Sequence, residues 1–115
     1  MATAGKQTTK VFPDSQTVRS LVEQIVAAAH PLRIVLFGSA ARGDMGPNSD
    51  LDVMVVVPDG SHPRKVAKLL YRQISGLRTA FDVVVTTPSV LEAHKDNIGL
   101  IFHRILAEGR EIYAG

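Results

Sequence analysis

The sequence predicts a small α/β (α+β) domain, a mixed β-sheet flanked by helices. Three observations carry this. Two stretches, 14–29 and 64–76, repeat apolar residues at helical spacing. Three runs rich in β-branched residues, 32–37, 50–57 and 81–87, read as strands. Clusters of glycine, proline and short polar residues separate them, giving the order helix, strand, strand, helix, strand, helix.

Residues 1–12 are small, polar and turn-prone, which predicts a flexible tail before a domain over 13–115. Asp14 or Ser15 can cap the first helix, whose inward face is Val18, Leu21, Val22, Ile25 and Val26. The His30-Pro31 step ends it, because a residue before proline avoids the helical region. "LRIVLF" is the first strand, and "GSAARGDMGPNS" a loop with one helical turn after Gly38. "DLDVMVVV" is the second strand, closed by the turn "PDGSHP". In "RKVAKLLYRQISG", Val66, Leu69, Leu70 and Ile74 face inward, and a glycine is expected to close the helix. "FDVVVTT" is the third strand, and "PSVLEAHKDN" starts with proline in a first helical turn. "IGLIFHRILAEG" is a more apolar helix and "REIYAG" a short last strand.

Composition removes several classes of function. With no cysteine, disulfides, thiolate zinc sites and thiol nucleophiles are excluded. His30, His62, His94 and His103 lack metal-ligand spacing. No apolar run approaches the roughly 20 residues of a membrane span. The opening "MATAGKQTTK" has no apolar core of a signal peptide, so a cytoplasmic protein is expected. The net charge is only +2 and no basic block of five occurs. Nucleic-acid binding is thus left open but not indicated, and no aromatic stacking platform is present.

The chemistry lies in "FGSAARGDMGPNSDLDVMVVV", residues 37–57. A strand places residues i and i+2 on one face, roughly 6.5 Å apart, so Asp50 and Asp52 project together. Two such charges about 4 Å apart repel by on the order of 4 kcal/mol at an effective dielectric near 20. Keeping both ionised calls for a cation, and hard divalent ions prefer carboxylate oxygen. Asp82 begins the third strand and adds a third acid, enough for a two-metal site that activates an attacking oxygen and steadies a leaving pyrophosphate. Aspartate at a strand entrance is also ordinary turn chemistry, which would suffice for Asp50 or Asp82 alone. The three together, behind a glycine-rich loop, favour the functional account.

That loop is not a Walker A motif: Asp44 and Met45 stand where lysine and Ser or Thr are required. Gly38 permits a tight turn and close backbone approach, and Ser39 offers a hydroxyl at a helix start. Arg42, one turn on, can reach phosphate. The plainer roles are an N-cap for Ser39 and a solvated charge for Arg42.

The string "GSAARGDMGPNSDLD" resembles the nucleotidyltransferase superfamily of DNA polymerase beta, and within it the minimal nucleotidyltransferase (MNT) proteins, small partners of HEPN proteins. Gly38, Ser39, Arg42, Gly43, Ser49, Asp50 and Asp52 match its motif, Asp82 falls at the third acid, and "RILAEGREIY" is similar to the end of MNT chains. The resemblance implies a polymerase beta-like fold. It implies that Gly38 and Ser39 bind the triphosphate, with Arg42, Gly43 and Ser49 in the same nucleotide-binding motif. It also implies that Asp50, Asp52 and Asp82 are catalytic and hold two Mg²⁺ ions. Asp82 is our choice for the carboxylate that accepts the proton of the attacking hydroxyl.

The function so implied is transfer of AMP from ATP to a HEPN-type toxin, with this chain as its antitoxin. The alternatives are a binding module that neutralises the toxin by contact alone, and a transferase acting on an RNA 3′ end or a small molecule. Enzymes of the last kind carry a second, acceptor domain; none follows residue 115, so a partner or a second copy of the chain is expected to supply that surface. Elsewhere, His103, Arg104, Lys65, Lys68 and Arg72 read as solvated helix positions, and Tyr71 and Tyr113 as partly buried packing residues.

Overall fold

The computed structural model describes residues 9–97 and 101–115. Four strands form one sheet: β1 (Arg33–Phe37), β2 (Leu51–Val56), β3 (Phe81–Thr86) and β4 (Arg110–Ala114), in the spatial order β3-β2-β1-β4. β1 runs antiparallel to both β2 and β4, whereas β2 and β3 are parallel. The helices are α1 (Ser15–Ala29), α2 (Ser39–Arg42), α3 (Pro63–Gln73), α4 (Pro88–His94) and α5 (Ile101–Glu108). A parallel pair cannot be joined by a tight hairpin, and α3 supplies the crossover between β2 and β3. The predicted mixed sheet and its order of elements are therefore those of the fold.

Side-chain alternation along β2 divides the core into two layers. Leu51, Val53 and Val55 pack with Leu21 and Ile25 of α1 and Leu70 of α3. Met54 and Val56 pack on the other face with Val35 and with Ile105 of α5. Each fully buried aliphatic side chain contributes about 1.5–3 kcal/mol, and a strand covered on both faces loses the apolar–polar alternation. This is why "VMVVV" is continuous, and why Asp52 interrupts it only at the strand's beginning.

The caps follow the local chemistry in part. Asp14 caps α1, its side chain accepting from the Thr17 amide at 3.2 Å. His30 ends α1 in the left-handed region at φ 48°, and Pro31 follows. The glycine expected to close α3 does not do so. The helix ends at Gln73, and Ile74 turns extended, which places its side chain, 6% exposed, in the core under α1 and α3. Gly76 adopts positive φ only later, in the connection to β3.

The tail expected over residues 1–12 falls largely outside the described residues. Its last part lies against the loop after α2: the Val11 amide donates to Gly43 O at 2.6 Å and the Met45 amide to Val11 O at 3.2 Å. The Arg110 guanidinium stands 5.3 Å from the Phe12 ring centre. The helix expected from residue 98 is seen from Ile101, because residues 98–100 lie outside the described range.

Candidate active site

Asp52, the second residue of β2, is register partner to Phe37 on one side and to Asp82 of β3 on the other. Partners in a parallel pair point to the same face, so strand pairing alone brings these two acids together. Asp50 immediately precedes β2 and sits two residues back from Asp52. Asp52 is half-buried, while Asp50 and Asp82 are exposed. Burial first, then the charges of Asp82 and Asp50, push the Asp52 carboxyl above its ordinary value, and nearby Arg42 opposes the rise. The three predicted acids therefore share one electrostatic site.

Gly38 joins β1 to α2 with φ 71° and ψ −154°, a combination open essentially only to glycine. A Cβ placed there would come 2.6 Å from Asp52 Oδ2. The turn thus brings bare backbone against the acid. Ser39 opens α2, where the first amides have no partner within the helix. Gly38 is the part of the predicted loop that lies against the acids, and Ser39 follows it at the start of α2.

The remaining loop residues have structural partners. Gly43 ends α2 at φ 81° and lies beneath Phe12, whose ring a Cβ would meet at 2.7 Å. The Ser49 hydroxyl accepts from the Gly46 amide at 2.8 Å and closes the turn before Asp50. Arg42 pairs with Asp44 at 3.2 Å and with Glu108 of α5 at 3.6 Å. All three groups are close to half exposed, so these pairs are weak and screened, and an arriving anion can displace them.

Two further residues belong to this region that sequence reasoning set aside. Arg104 of α5 lines a cavity of about 130 Å³ with Phe37, Gly38, Arg42, Ile101 and Glu108. Only the packing of α5 over the sheet brings it there. Tyr71 of α3 donates its hydroxyl hydrogen to Asp82 Oδ1 and accepts from the Val83 amide at 2.8 Å. Burial, then the bond to Asp82, raises its pKa, so the hydroxyl keeps its proton at neutral pH. Its position beside inward-facing Leu70 was the available signal: a polar-tipped aromatic suits the margin of an apolar stripe. A larger cavity of about 450 Å³ includes Asp14, Ser20 and Arg78 but none of the three acids.

Asp50, Asp52 and Asp82 are the residues that could hold a hard cation. Among the described residues no three acidic or imidazole groups form a ready-made metal cage. The donor chemistry fits Mg²⁺ nonetheless, because that ion commonly uses one or two carboxylates together with water and substrate phosphates.

Residues 17–107 match the nucleotidyltransferase domain family, and the chain belongs to it. The solved structure of a protein assigned as a nucleotidyltransferase from Sulfolobus solfataricus superposes with a TM-score of 0.58 at 22% identity, over 86% of this chain and 78% of that one. At that identity the likeness concerns the fold, and with the family match it supports a polymerase beta-like architecture. No curated protein matches the chain. Family membership supports nucleotidyl transfer as the chemistry. No helix among the described residues is long and apolar enough to cross a membrane.

Proposed function

We propose that this chain transfers AMP from ATP to a hydroxyl on a partner protein, and that the partner is a HEPN-type toxin whose activity it restrains. The observation that carries the chemistry is the register pairing of Asp52 with Asp82, with the Gly38 backbone against Asp52. The choice of partner rests on the resemblance of "GSAARGDMGPNSDLD" and "RILAEGREIY" to MNT chains.

Gly38 and Ser39 receive the triphosphate, and Arg42 and Arg104 face its charge. Mg²⁺ bound at Asp50, Asp52 and Asp82 would neutralise charge on the reacting phosphates and the leaving pyrophosphate. The acceptor oxygen bonds to the α-phosphorus, the bond to pyrophosphate breaks, and the acceptor proton passes to Asp82. Such transfer needs positioning and charge neutralisation more than covalent catalysis, which suits a site of acids, glycine backbone and arginine.

The test is incubation with labelled ATP, Mg²⁺ and the product of the neighbouring reading frame, followed by intact mass. A gain of one or more AMP units on that product is the expected result. Label on RNA 3′ ends or on a small molecule instead would overturn the choice of acceptor. Absence of label with full neutralisation of the toxin would assign a contact-only antitoxin.

A further inference from the structure

Tyr71 approaches Asp82 from the opposite side of the sheet. α3 packs with the layer that contains Leu70 and Val83, whereas Asp82 points to the face of Asp52. β3 is an edge strand, and the Tyr71 hydroxyl reaches its outer margin. There it accepts from the Val83 amide at 2.8 Å. A phenol has one proton to give, and with its oxygen accepting from Val83 that proton goes to Asp82 Oδ1. The ring is fixed as well, stacked on Phe81 with centroids 5.4 Å apart and planes 16° from parallel. Three contacts therefore determine where the hydroxyl stands.

We propose that Tyr71 is a positioning residue that locks the Asp82 carboxylate through Oδ1 and leaves Oδ2 to face the metal and the acceptor. The inference rests on the nucleotidyl-transfer assignment above. An exposed aspartate at a strand edge has several rotamers, and only those turned towards Asp52 are productive. The bond to Tyr71 restricts the rotamers of Asp82 before any ligand arrives. Tyr71 is 46% exposed, so burial of its ring is a weak account of why tyrosine stands there. Phenylalanine would keep the stack on Phe81 and lose only the hydroxyl.

The test measures Mn²⁺ binding to the full chain in the presence of a non-hydrolysable ATP analogue, with thermal melting of the same preparations. Tyr71→Phe should weaken Mn²⁺ about tenfold, as loss of a ligand-orienting partner does, with a melting temperature close to wild type. If Tyr71 acts through Asp82, Tyr71→Phe should add little in an Asp82→Asn background, a non-additivity that a merely structural role would not produce. Wild-type Mn²⁺ affinity in Tyr71→Phe overturns the inference, provided Asp52→Asn still weakens binding. If Asp52→Asn also binds as wild type, the metal-site assignment itself has failed and Tyr71 falls with it. A Tyr71→Phe chain that melts far below wild type, or additive losses in the double variant, overturns the inference in favour of a strand-edge role.

Discussion

Asp52 and Asp82 are direct register partners across the parallel pair β2–β3, so two carboxylates on separate strands share one face of the sheet. Hydrophobic packing holds them there: Val53 and Val83, the next residue on each strand, are buried in the layer beneath α1 and α3. The core thus fixes a juxtaposition that is electrostatically unfavourable without a cation. Several consequences can be measured.

Asp52→Asn should abolish transfer without destabilising the metal-free chain. Burial, then Asp82 and Asp50, raise the folded-state pKa of Asp52 above its unfolded value. A group shifted that way stabilises the fold fully below its unfolded pKa and loses that contribution as pH rises through the folded one. At neutral pH ionised Asp52 is therefore a liability, the usual trade at an active site. In EDTA at pH 7 the variant should melt at or above wild type. Below about pH 3, where Asp52 is largely neutral in both the folded and the unfolded chain, the difference should vanish. A variant that melts well below wild type at pH 7 would refute the site assignment.

Gly38→Ala should lose both stability and nucleotide affinity. The backbone at φ 71°, ψ −154° costs a non-glycine residue about 1–3 kcal/mol. The new methyl would also meet Asp52 Oδ2 at 2.6 Å and displace the carboxylate. Ser39→Ala keeps the backbone, so it should weaken ATP binding with little effect on denaturant midpoint. ATP affinity at wild-type level in both variants would remove this turn from the phosphate site.

Mg²⁺ should bind more tightly with nucleotide than alone. The three carboxylates have no histidine or cysteine in support and form no closed cage among the described residues. The triphosphate has to complete the coordination. Calorimetric titrations with and without a non-hydrolysable ATP analogue test this. Tight Mg²⁺ binding that the analogue leaves unchanged would count against a shared metal–nucleotide site.

Much of the fold was legible because its signals are local. The apolar run 53–57, the Asp14 cap and the proline after His30 each act over a few residues. The acids were legible because the i, i+2 spacing fixes Asp50 and Asp52, and Asp82 opens a strand. What was not legible depends on which partner each side chain finds, in its own turn or in a distant segment. Gly43 has its tight neighbour in Phe12, a residue of the expected tail. Ser49 spends its hydroxyl on its own turn. The end of α3 at Gln73 is set by burial of Ile74 rather than by the glycine that follows. Tyr71 and Arg104 reach the site only through the packing of α3 and α5; the margin of the apolar stripe on α3 hinted at Tyr71, and nothing in the spacing of α5 pointed to Arg104.

Arg104→Ala should weaken ATP binding roughly tenfold, equivalent to about 1.4 kcal/mol, and leave the melting temperature near wild type. Arg104 lines the cavity beside Gly38, is exposed, and has no ion pair among the described residues. Its charge is therefore available to an incoming phosphate, and its removal breaks no pair. Arg42 starts from a different state, because it must first leave Asp44 and Glu108. Glu108→Gln removes a competing anion from the same cavity, so it should hold or strengthen ATP affinity. Both effects are charge effects at an exposed site and should shrink as ionic strength rises and the screening length falls. Titrations of ATP at low and high salt on the two variants check this. Equal affinity of Arg104→Ala and wild type at low salt would return Arg104 to the solvated surface of α5.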